Sequence, residues 1–323
     1  MFVKDLQAGA EVDGVFAVRE AQVRATHDGR RHLRLLLGDR TGCMPANLWG
    51  DVTQCSALAT PGTVVRVTGR LQAGAGHGAE LELRSIAAAT AGTFDESALQ
   101  DGPSRSAALM EADLRELVDT VQNTDLRRLL DAVLGPGAAT WESYRSAPAA
   151  KRFHQAYRHG LLEHSLSVAQ AVSAISATFG VIDRDVAVAG ALLHDIGKLD
   201  AYAFEGSAIA MTDAGKLQGE IPLGYYRVRR LIDGIEGFDR HTAEAVLHII
   251  LSHHGSLEHG SPVVPCTREA TLVHFCDNLG GRLGSFDRLQ KELPSGERWS
   301  HFDRAIGSGA YFGDGVPAAR EAA

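Results

Sequence analysis

The first ninety residues alternate between apolar and polar positions in short runs. The runs are EVDGVFAVREAQVRAT, RHLRLLLGD, GCMPANLW, TVVRVTGRLQ and LELRSIAA, and turn signals such as Asp28-Gly29 and Pro61-Gly62 lie between them. A period of two in runs rich in Val, Leu and Ile predicts five β-strands. With a long first strand and the Gly-rich loop GAGHG before the last one, these strands favour a small all-β Greek-key barrel of the OB type over residues 1–92.

From Ser106 onward the apolar residues recur at spacings of three and four, as in Leu114, Leu117, Val118 and Val121. This period predicts an all-α second domain over residues 106–303, joined to the barrel by a small, polar linker at 93–105. We expect the Gly- and Ala-rich tail at 304–323 to fray. Further helices are predicted at about 149–158, 160–179, 184–194, 214–233, 239–252 and 267–289.

The composition is that of an ordinary globular protein. A chain of 323 residues is long for one hydrophobic core, so we expect a multidomain protein. No run approaches the ~20 uncharged apolar residues of a membrane span, and the first residues lack a signal-peptide pattern, so we expect a cytoplasmic protein with no membrane partner. The four cysteines form no CxxC pair, which argues against a zinc ribbon or a disulfide framework.

The net charge of −8 at first argues against a polyanionic partner, because nucleic-acid binding depends on clustered Lys and Arg. The charge is unevenly distributed, however. Residues 1–89 contain ten Lys/Arg and nine Asp/Glu, whereas the rest of the chain contains 22 and 31. The acidity of the helical part fits carboxylates gathered around cations as well as it fits a solvated surface.

Eleven of the fourteen histidines lie between residues 154 and 301. Among them, His164 shares one helix face with Leu161 and Val168, so its side chain is expected to point toward the core. Taken alone, such a residue is more often a core histidine that is hydrogen-bonded to a backbone carbonyl.

Several further polar residues follow or interrupt apolar helices. His194-Asp195 come directly after VAVAGALL, His253-His254 follow HIILS, and Asp277 lies within TLVHFCDNLGG. An ionised carboxylate is rarely buried without a partner because the cost is several kcal/mol or more. Each group alone fits a structural role as well as a functional one. Together with His164 they form an ordered set on four buried helices, and one shared divalent cation accounts for all of them.

The order H…HD…H…D resembles that of the HD-domain superfamily of metal-dependent phosphohydrolases. The longer segments RFHQAYRHGLLEHSLSVA, AGALLHDIGKL, TDAGKLQGEIPLG, LHIILSHHGSLEHGSPVVP and CDNLGG, preceded by an OB-like barrel, resemble the YhaM-type 3′ to 5′ exoribonucleases. The resemblance extends over about residues 5–290. It implies hydrolysis of single-stranded RNA, with single-stranded DNA as a further partner, from the 3′ end to nucleoside monophosphates.

The resemblance and the buried residues together imply a metal site with one or two ions. Mn²⁺ is the expected ion, with Mg²⁺, Co²⁺ or Fe²⁺ as alternatives. Glu220 stands where the family has a histidine, so it is either an oxygen ligand or a surface residue. His253 and His254 are both candidate ligands from the sequence. The full set of expected ligands is His164, His194, Asp195, Glu220, His253, His254 and Asp277.

The expected catalytic residues are Asp195, Lys198 and His254. Asp195 would bridge a pair of ions, and His254 would protonate the leaving group if it does not bind metal. Lys198 follows Asp195 by three residues, and it is either a phosphate contact or a solvated cation.

Nucleic-acid contacts are expected on the barrel, because OB folds bind single strands through cations and stacking aromatic rings. For Phe16 and Trp49 a place in the core is the more common alternative, and a basic run before His164 is more often a solvated face. The candidates are Arg24, Arg31, Arg34, Trp49 and Arg66 in the barrel, and Arg152 and Arg158 before His164.

Three functions therefore compete. The first is an exoribonuclease, and the second is a phosphohydrolase of small nucleotides whose barrel serves assembly or regulation. The third is a nucleic-acid-binding protein in which the His and Asp residues are structural. A homo-oligomer is compatible with each of them.

Overall fold

The computed structural model describes residues 1–27, 29–50, 52–73, 79–151, 154–205, 208–293 and 296–313. The chain divides into two compact units. One contains the described residues of Met1–Gly102, Phe204–Ile209 and Ser285–Ala323, and the other contains those of Pro103–Ala203 and Ala210–Gly284. The functional domain boundaries at residues 92 and 106 stay a prediction.

The first unit is built on a closed barrel with the strand order β1-β2-β3-β5-β4. β3 and β5 pair in parallel, and the other neighbouring strands pair antiparallel. This is the topology of an OB-type Greek-key barrel, so the predicted fold of this region is confirmed. The strands are β1 Glu11–Ala25, β2 Arg31–Asp39, β3 Gly42–Trp49, β4 Val64–Ala73 and β5 Ala79–Ala88.

The barrel core follows the period of two that the sequence shows. Leu33, Leu35 and Leu37 of β2 are all buried in it, and the residues between them face outward. Phe16 is also completely buried, so its candidacy as a base-stacking residue is wrong. Helix α1, Val52–Leu58, connects β3 to β4 and was not predicted.

The second unit consists mainly of helices, as predicted. A two-stranded sheet of β6, Tyr202–Glu205, and β7, Ala208–Met211, follows α7 and was not predicted. The part of this sheet within Phe204–Ile209 belongs to the first unit. The last helix, α11, begins in this unit, and its residues from Ser285 onward belong to the first unit. The helices are α2 Ala107–Asp119, α3 Thr124–Leu134, α4 Trp141–Ser146, α5 Gly160–Ser176, α6 Arg184–Leu193, α7 Lys198–Ala201, α8 Asp213–Gln218, α9 Glu220–Asp233, α10 Arg240–Ser252 and α11 Arg268–Glu292.

Helix α6 lies at the centre of the helical core, in contact with α5 and α10. The Asp183 side chain caps its start by accepting a hydrogen bond from the backbone N–H of Val186 at 3.1 Å. Every residue from Val186 to Leu193 is buried. The two residues that follow α6, His194 and Asp195, therefore enter the interior of the unit.

Two of the predicted helices differ from the structure. The prediction at about 149–158 is wrong for the described residues there, where Gln155 has a left-handed backbone with φ of 45°. The helix predicted at about 214–233 is two helices, because Gly219 adopts φ of 79° and ends α8 before α9 begins.

The C-terminal region is only partly described. Up to residue 313 it contains isolated bridges between Trp299 and Tyr311 and between Asp303 and Ser308, whereas residues 314–323 of the predicted tail lie outside the described residues. In the described part of the chain, no helix combines the length and the apolarity that crossing a membrane requires.

Candidate metal centre

Four helices bring the predicted His and Asp residues of the second unit together. His164 lies on the buried side of α5, and Asp277 lies on α11. His194-Asp195 follow α6, and His253-His254 follow α10. Three of these side chains, His164, His194 and Asp277, offer ligand atoms that all lie within 4.8 Å of one another.

The nitrogen and oxygen atoms at the centre of this cluster approach closely. His164 Nε2 lies 3.0 Å from Asp277 Oδ1 and 3.3 Å from His194 Nε2. Asp195 Oδ2 lies 3.4 Å from His194 Nε2 and 3.6 Å from His164 Nε2. His164, His194 and Asp195 are each no more than 2% exposed. Two imidazoles and two carboxylates thus converge on one point, where only Asp277 is partly exposed, with 16% of its side chain accessible.

The other oxygen of Asp195 faces a different histidine. Asp195 Oδ1 lies 3.6 Å from Nε2 of His253, which is completely buried. Neither atom has a hydrogen-bond partner among the described residues. Leaving a buried polar atom without a partner costs about 1 to 3 kcal/mol, so such atoms call for an explanation. A cation that both atoms contact would provide one.

Backbone carbonyls orient three of the imidazoles. Nδ1 of His194 donates to the carbonyl of Ala191 at 2.7 Å, and Nδ1 of His253 donates to that of Ile250 at 2.8 Å. Nδ1 of His254 donates to the carbonyl of His259 at 2.8 Å. A carbonyl can only accept, so each ring keeps its proton on Nδ1 and directs Nε2 toward the cluster. Metal-ligating histidines are held in this way.

The electrostatics of the cluster favour added positive charge. Burial disfavours both ionised carboxylates, but Lys198 and His194 hold the pKa of Asp195 well below its ordinary value. Hydrogen bonds from His164 and His194 likewise depress the pKa of Asp277. For His194, burial is outweighed by Asp195 and Asp277, which raise its pKa to about 10. The two carboxylates therefore stay ionised and attract a cation, so the residues fit a divalent metal.

Glu220 and His254 form a second, more accessible part of the centre. Glu220 Oε1 lies 3.5 Å from His254 Nε2, and the Tyr202 hydroxyl donates to Glu220 Oε2 at 3.5 Å. The side chains of His254 and Glu220 are 29% and 20% exposed. Glu220 thus lies beside His254 and not on an open surface, although metal binding by it stays a prediction.

Two glycines permit these close approaches. A Cβ atom on Gly197 would come within 1.9 Å of the Glu220 carbonyl oxygen, so only glycine lets the start of α9 pack against the His-Asp turn. Gly255, directly after His254, has φ of 82°, and a Cβ there would overlap the ring of His274. That ring donates from Nδ1 to the carbonyl of His253 at 2.7 Å.

Lys198 is not a solvated cation. It is 6% exposed, and its ammonium group donates to Asp195 Oδ2 at 2.6 Å. The carboxylate raises the pKa of Lys198 despite burial. Its first role is therefore to hold Asp195 ionised and in place, while a direct contact with phosphate stays a prediction.

The barrel places some of its predicted residues in one row on its outer face. The strand register sets Arg24 opposite His32, and His32 opposite Trp49. The Trp49 ring is stacked on His32 with centroids 4.5 Å apart and is 45% exposed, so the interpretation of Trp49 as a core residue is wrong. Arg31 lies next to this row and is exposed.

The remaining predicted arginines are less available or less fully described. Arg34 lies 3.6 Å from Glu80, and Arg66 forms an ion pair with Asp13 at 2.9 Å. Arg158 is exposed, and Arg152 lies outside the described residues. The structure thus groups Arg24 and Trp49 but directs Arg34 and Arg66 toward carboxylates.

Two residues of these sites escaped the sequence analysis. Tyr202 reaches Glu220 through the unpredicted strand β6, and no local pattern marks it. His32 lies at an outward position of β2, and the register opposite Trp49 could have identified it.

Comparison with known proteins agrees with these observations. The family model described as "HD domain" matches residues 161–281. The chain is 28% identical over 293 residues to a protein named 3′-5′ exoribonuclease YhaM from Geobacillus sp. (strain WCH70), covering 90% of this chain and 88% of that one. The protein of the same name from Bacillus subtilis (strain 168) is 27% identical over 293 residues, covering 90% and 91%. The resemblance to YhaM-type proteins is confirmed.

Two small solved structures each match about a quarter of this chain. The second OB-fold domain of replication protein A from Methanococcus maripaludis matches with 20% identity and a TM-score of 0.22, covering 28% of this chain and 93% of that one. The protein priB from Ralstonia solanacearum matches with 19% identity and a TM-score of 0.21, covering 24% and 97%. At these scores neither match supports a conclusion about this chain.

Proposed function

We propose that this chain, which carries an HD-domain match and resembles the YhaM exoribonucleases along 90% of its length, is a metal-dependent 3′ to 5′ exoribonuclease. The observation that carries the proposal is the buried cluster in which Asp195 Oδ1 and His253 Nε2 face each other without another partner. Single-stranded RNA is the proposed substrate, nucleoside monophosphates are the products, and single-stranded DNA is a second substrate.

His164, His194, Asp195 and Asp277 would hold the first ion, with His253 on the far side of Asp195. When bound, a divalent ion lowers the pKa of the attacking water and neutralises charge on the phosphate oxygens. The mixture of imidazole and carboxylate donors suits Mn²⁺, and Mg²⁺, Co²⁺ and Fe²⁺ are alternatives. Glu220 and His254 are the candidates for a second ion.

The protein's own groups prepare this reaction. Lys198 holds Asp195 ionised, and the carbonyls of Ala191 and Ile250 fix the imidazoles of His194 and His253 in their orientation. Such preorganisation means that the donors need not rearrange when the substrate arrives. His254 has a second candidate role as the donor of a proton to the leaving 3′ oxygen. It can take this role only if no ion binds between His254 and Glu220.

The barrel supports a polymeric substrate. Trp49 offers an exposed ring for a base, and Arg24 lies in the same row and can contact phosphate. Stacking of this kind tolerates any base sequence. A cytoplasmic location and a homo-oligomer stay predictions.

One observation favours the second candidate, a phosphohydrolase of small nucleotides. Arg34 and Arg66 are turned toward Glu80 and Asp13, which leaves less positive charge on the barrel for a polyanion. In that case the barrel would serve assembly or regulation, and turnover would not depend on substrate length.

A time course on a 5′-labelled single-stranded RNA 20-mer with Mn²⁺ tests the proposal. We expect stepwise shortening from the 3′ end and release of nucleoside 5′-monophosphates. A 20-mer that stays intact while free mono- or dinucleotides are hydrolysed would favour the second candidate. Stable binding of the 20-mer without hydrolysis under any divalent ion would indicate a binding protein.

A further inference from the structure

A cavity outside the metal centre lies beside helix α9 of the second unit. Its volume is about 490 Å³, and it shares no lining residue with the His and Asp cluster. This volume is within the range of ligand pockets, which is about 300 to 1,000 Å³. Its lining includes Asp200, Leu223, Tyr226, Arg227 and Arg230.

One side of the cavity is a fixed ion pair. The guanidinium of Arg227 binds both oxygens of Asp200, with Nη2 to Oδ1 at 2.6 Å and Nε to Oδ2 at 2.9 Å. Asp200 belongs to α7, the helix that begins with Lys198. The pair neutralises the acidic charge of the cavity and joins its wall to the helix that supports Asp195.

The other side offers a ring and a cation. Tyr226 is 61% exposed, and the Arg230 guanidinium lies 5.7 Å from the centre of its ring. Arg230 has no carboxylate partner within the described parts of the chain, whereas its neighbour Arg229 pairs with Asp233 at 2.9 Å. An exposed aromatic ring next to a guanidinium that no described carboxylate binds suits a base and a phosphate.

Helix α9 connects this cavity to the metal centre. Glu220, Leu223, Arg227 and Arg230 recur at intervals of three, four and three, so they lie along one side of the helix. With a rise of 1.5 Å per residue, Arg230 lies about 15 Å along the axis from Glu220. A stacked strand advances roughly 3.4 Å per nucleotide, so about four or five nucleotides span this distance.

We propose that this cavity binds a nucleotide of the RNA strand upstream of the scissile bond, with the base stacked on Tyr226 and a phosphate on Arg230. The inference rests on the proposed exoribonuclease activity and adds a substrate site to it. Substrates shorter than about four nucleotides cannot reach the cavity from the metal centre. The site therefore adds affinity for long substrates without affecting the turnover of short ones.

The test measures KM and kcat of the Mn²⁺-loaded protein for an RNA 20-mer and for a dinucleotide. The variants are Tyr226→Ala and Arg230→Ala, and Arg229→Ala is the matched control because Arg229 pairs with Asp233 on the same helix. We expect KM for the 20-mer to rise about fivefold or more in Tyr226→Ala. The dinucleotide values and the control should be unchanged.

Salt dependence gives a second readout. Each lost phosphate contact reduces the slope of log affinity against log salt by about 0.7 for a single strand, so Arg230→Ala should show this change and Tyr226→Ala should not. Unfolding midpoints equal to that of the parent protein will show that both variants are folded.

The outcomes separate this inference from the proposed function. Hydrolysis of the 20-mer with Tyr226→Ala and Arg230→Ala indistinguishable from the control overturns the cavity assignment and leaves the exonuclease standing. Failure of the parent protein to hydrolyse any RNA overturns the proposed function itself. If the variants change only inhibition by free mononucleotide, the cavity binds a free nucleotide, and the assignment to the strand is wrong.

Discussion

The outer face of the barrel and the buried cluster of the helical unit both combine charged side chains, but they do so under opposite conditions. On the barrel, Arg66 is exposed and binds Asp13 in water, where solvent and salt screen the attraction between the two charges. In the cluster, Asp195 is 2% exposed, and Lys198 and three histidines surround it. An ionised side chain costs little free energy on the exposed barrel face and much more in the buried cluster. Only the buried cluster therefore implies a specific ligand.

The largest expected effect is on the cluster. Asp195→Asn should lower the rate of RNA hydrolysis roughly 10³-fold or more, because a metal ion supplies several kcal/mol of transition-state stabilisation and 1.4 kcal/mol is worth tenfold. Asp233→Asn is the control, since Asp233 is an exposed carboxylate paired with Arg229. The measurement is the initial rate on a 5′-labelled RNA. Near-normal degradation by Asp195→Asn would show that the buried cluster, like the charges on the barrel face, does not imply a specific ligand.

Substitutions of Glu220 and His254, the more accessible part of the centre, should lower the rate less than substitution of Asp195. Glu220→Gln should reduce the bound metal from two ions to one and lower the rate by roughly 10- to 100-fold, the range for groups that support a metal site. Metal analysis and steady-state rates measured on the same protein check this. If the metal content is unchanged while the rate falls, Glu220 is not a ligand and the role of His254 as proton donor is favoured.

Trp49 tests whether the barrel face has a function at all. Trp49→Ala should raise KM for an RNA 20-mer about fivefold or more and leave kcat unchanged, because a stacked base contributes about 1 to 3 kcal/mol. The ring is 45% exposed, so its removal should not unfold the barrel. Equal KM values for the variant and the parent protein would show that the row of Arg24, His32 and Trp49 does not bind RNA.

The smallest effect is expected where an arginine is already paired. Arg66→Ala should change KM for the 20-mer less than about fivefold, because its guanidinium is engaged by Asp13. Arg24→Ala is the variant to compare with it, because Arg24 lies in the row with Trp49. This variant should reduce the slope of log affinity against log salt concentration by about 0.7. A larger effect of Arg66→Ala than of Arg24→Ala would mean that RNA displaces Asp13.

The same contrast explains how much the sequence could predict. The alternation of Leu33, Leu35 and Leu37 predicts the barrel because one face of each strand must be buried. The apolar helix before His194-Asp195 predicts the cluster, since carboxylates in such surroundings require a partner. Both predictions rely on burial, which leaves a periodic pattern in the sequence.

The contacts that were missed depend on chain reversals and on long-range pairing. Tyr202 reaches Glu220 through a short strand with no strong period, and Gly197 lets α9 approach through a missing Cβ atom. Gly219, with φ of 79°, ends α8 before α9 begins, although the apolar pattern there predicts one continuous helix. Whether an exposed arginine is paired, as Arg34 and Arg66 are, follows from strand register and not from composition.

The most direct test of the metal centre is to remove metal from the purified protein with a chelator and add Mn²⁺ back in steps, measuring bound ion and hydrolysis of 5′-labelled single-stranded RNA in parallel. If the buried cluster is the catalytic metal site, the metal-free protein is inactive and 3′ to 5′ shortening returns in proportion to the ion bound. An Asp277→Asn variant should then bind the ion weakly and stay inactive. Full hydrolysis by metal-free protein, or unaltered metal binding by that variant, would contradict the assignment of the buried cluster as the catalytic metal site.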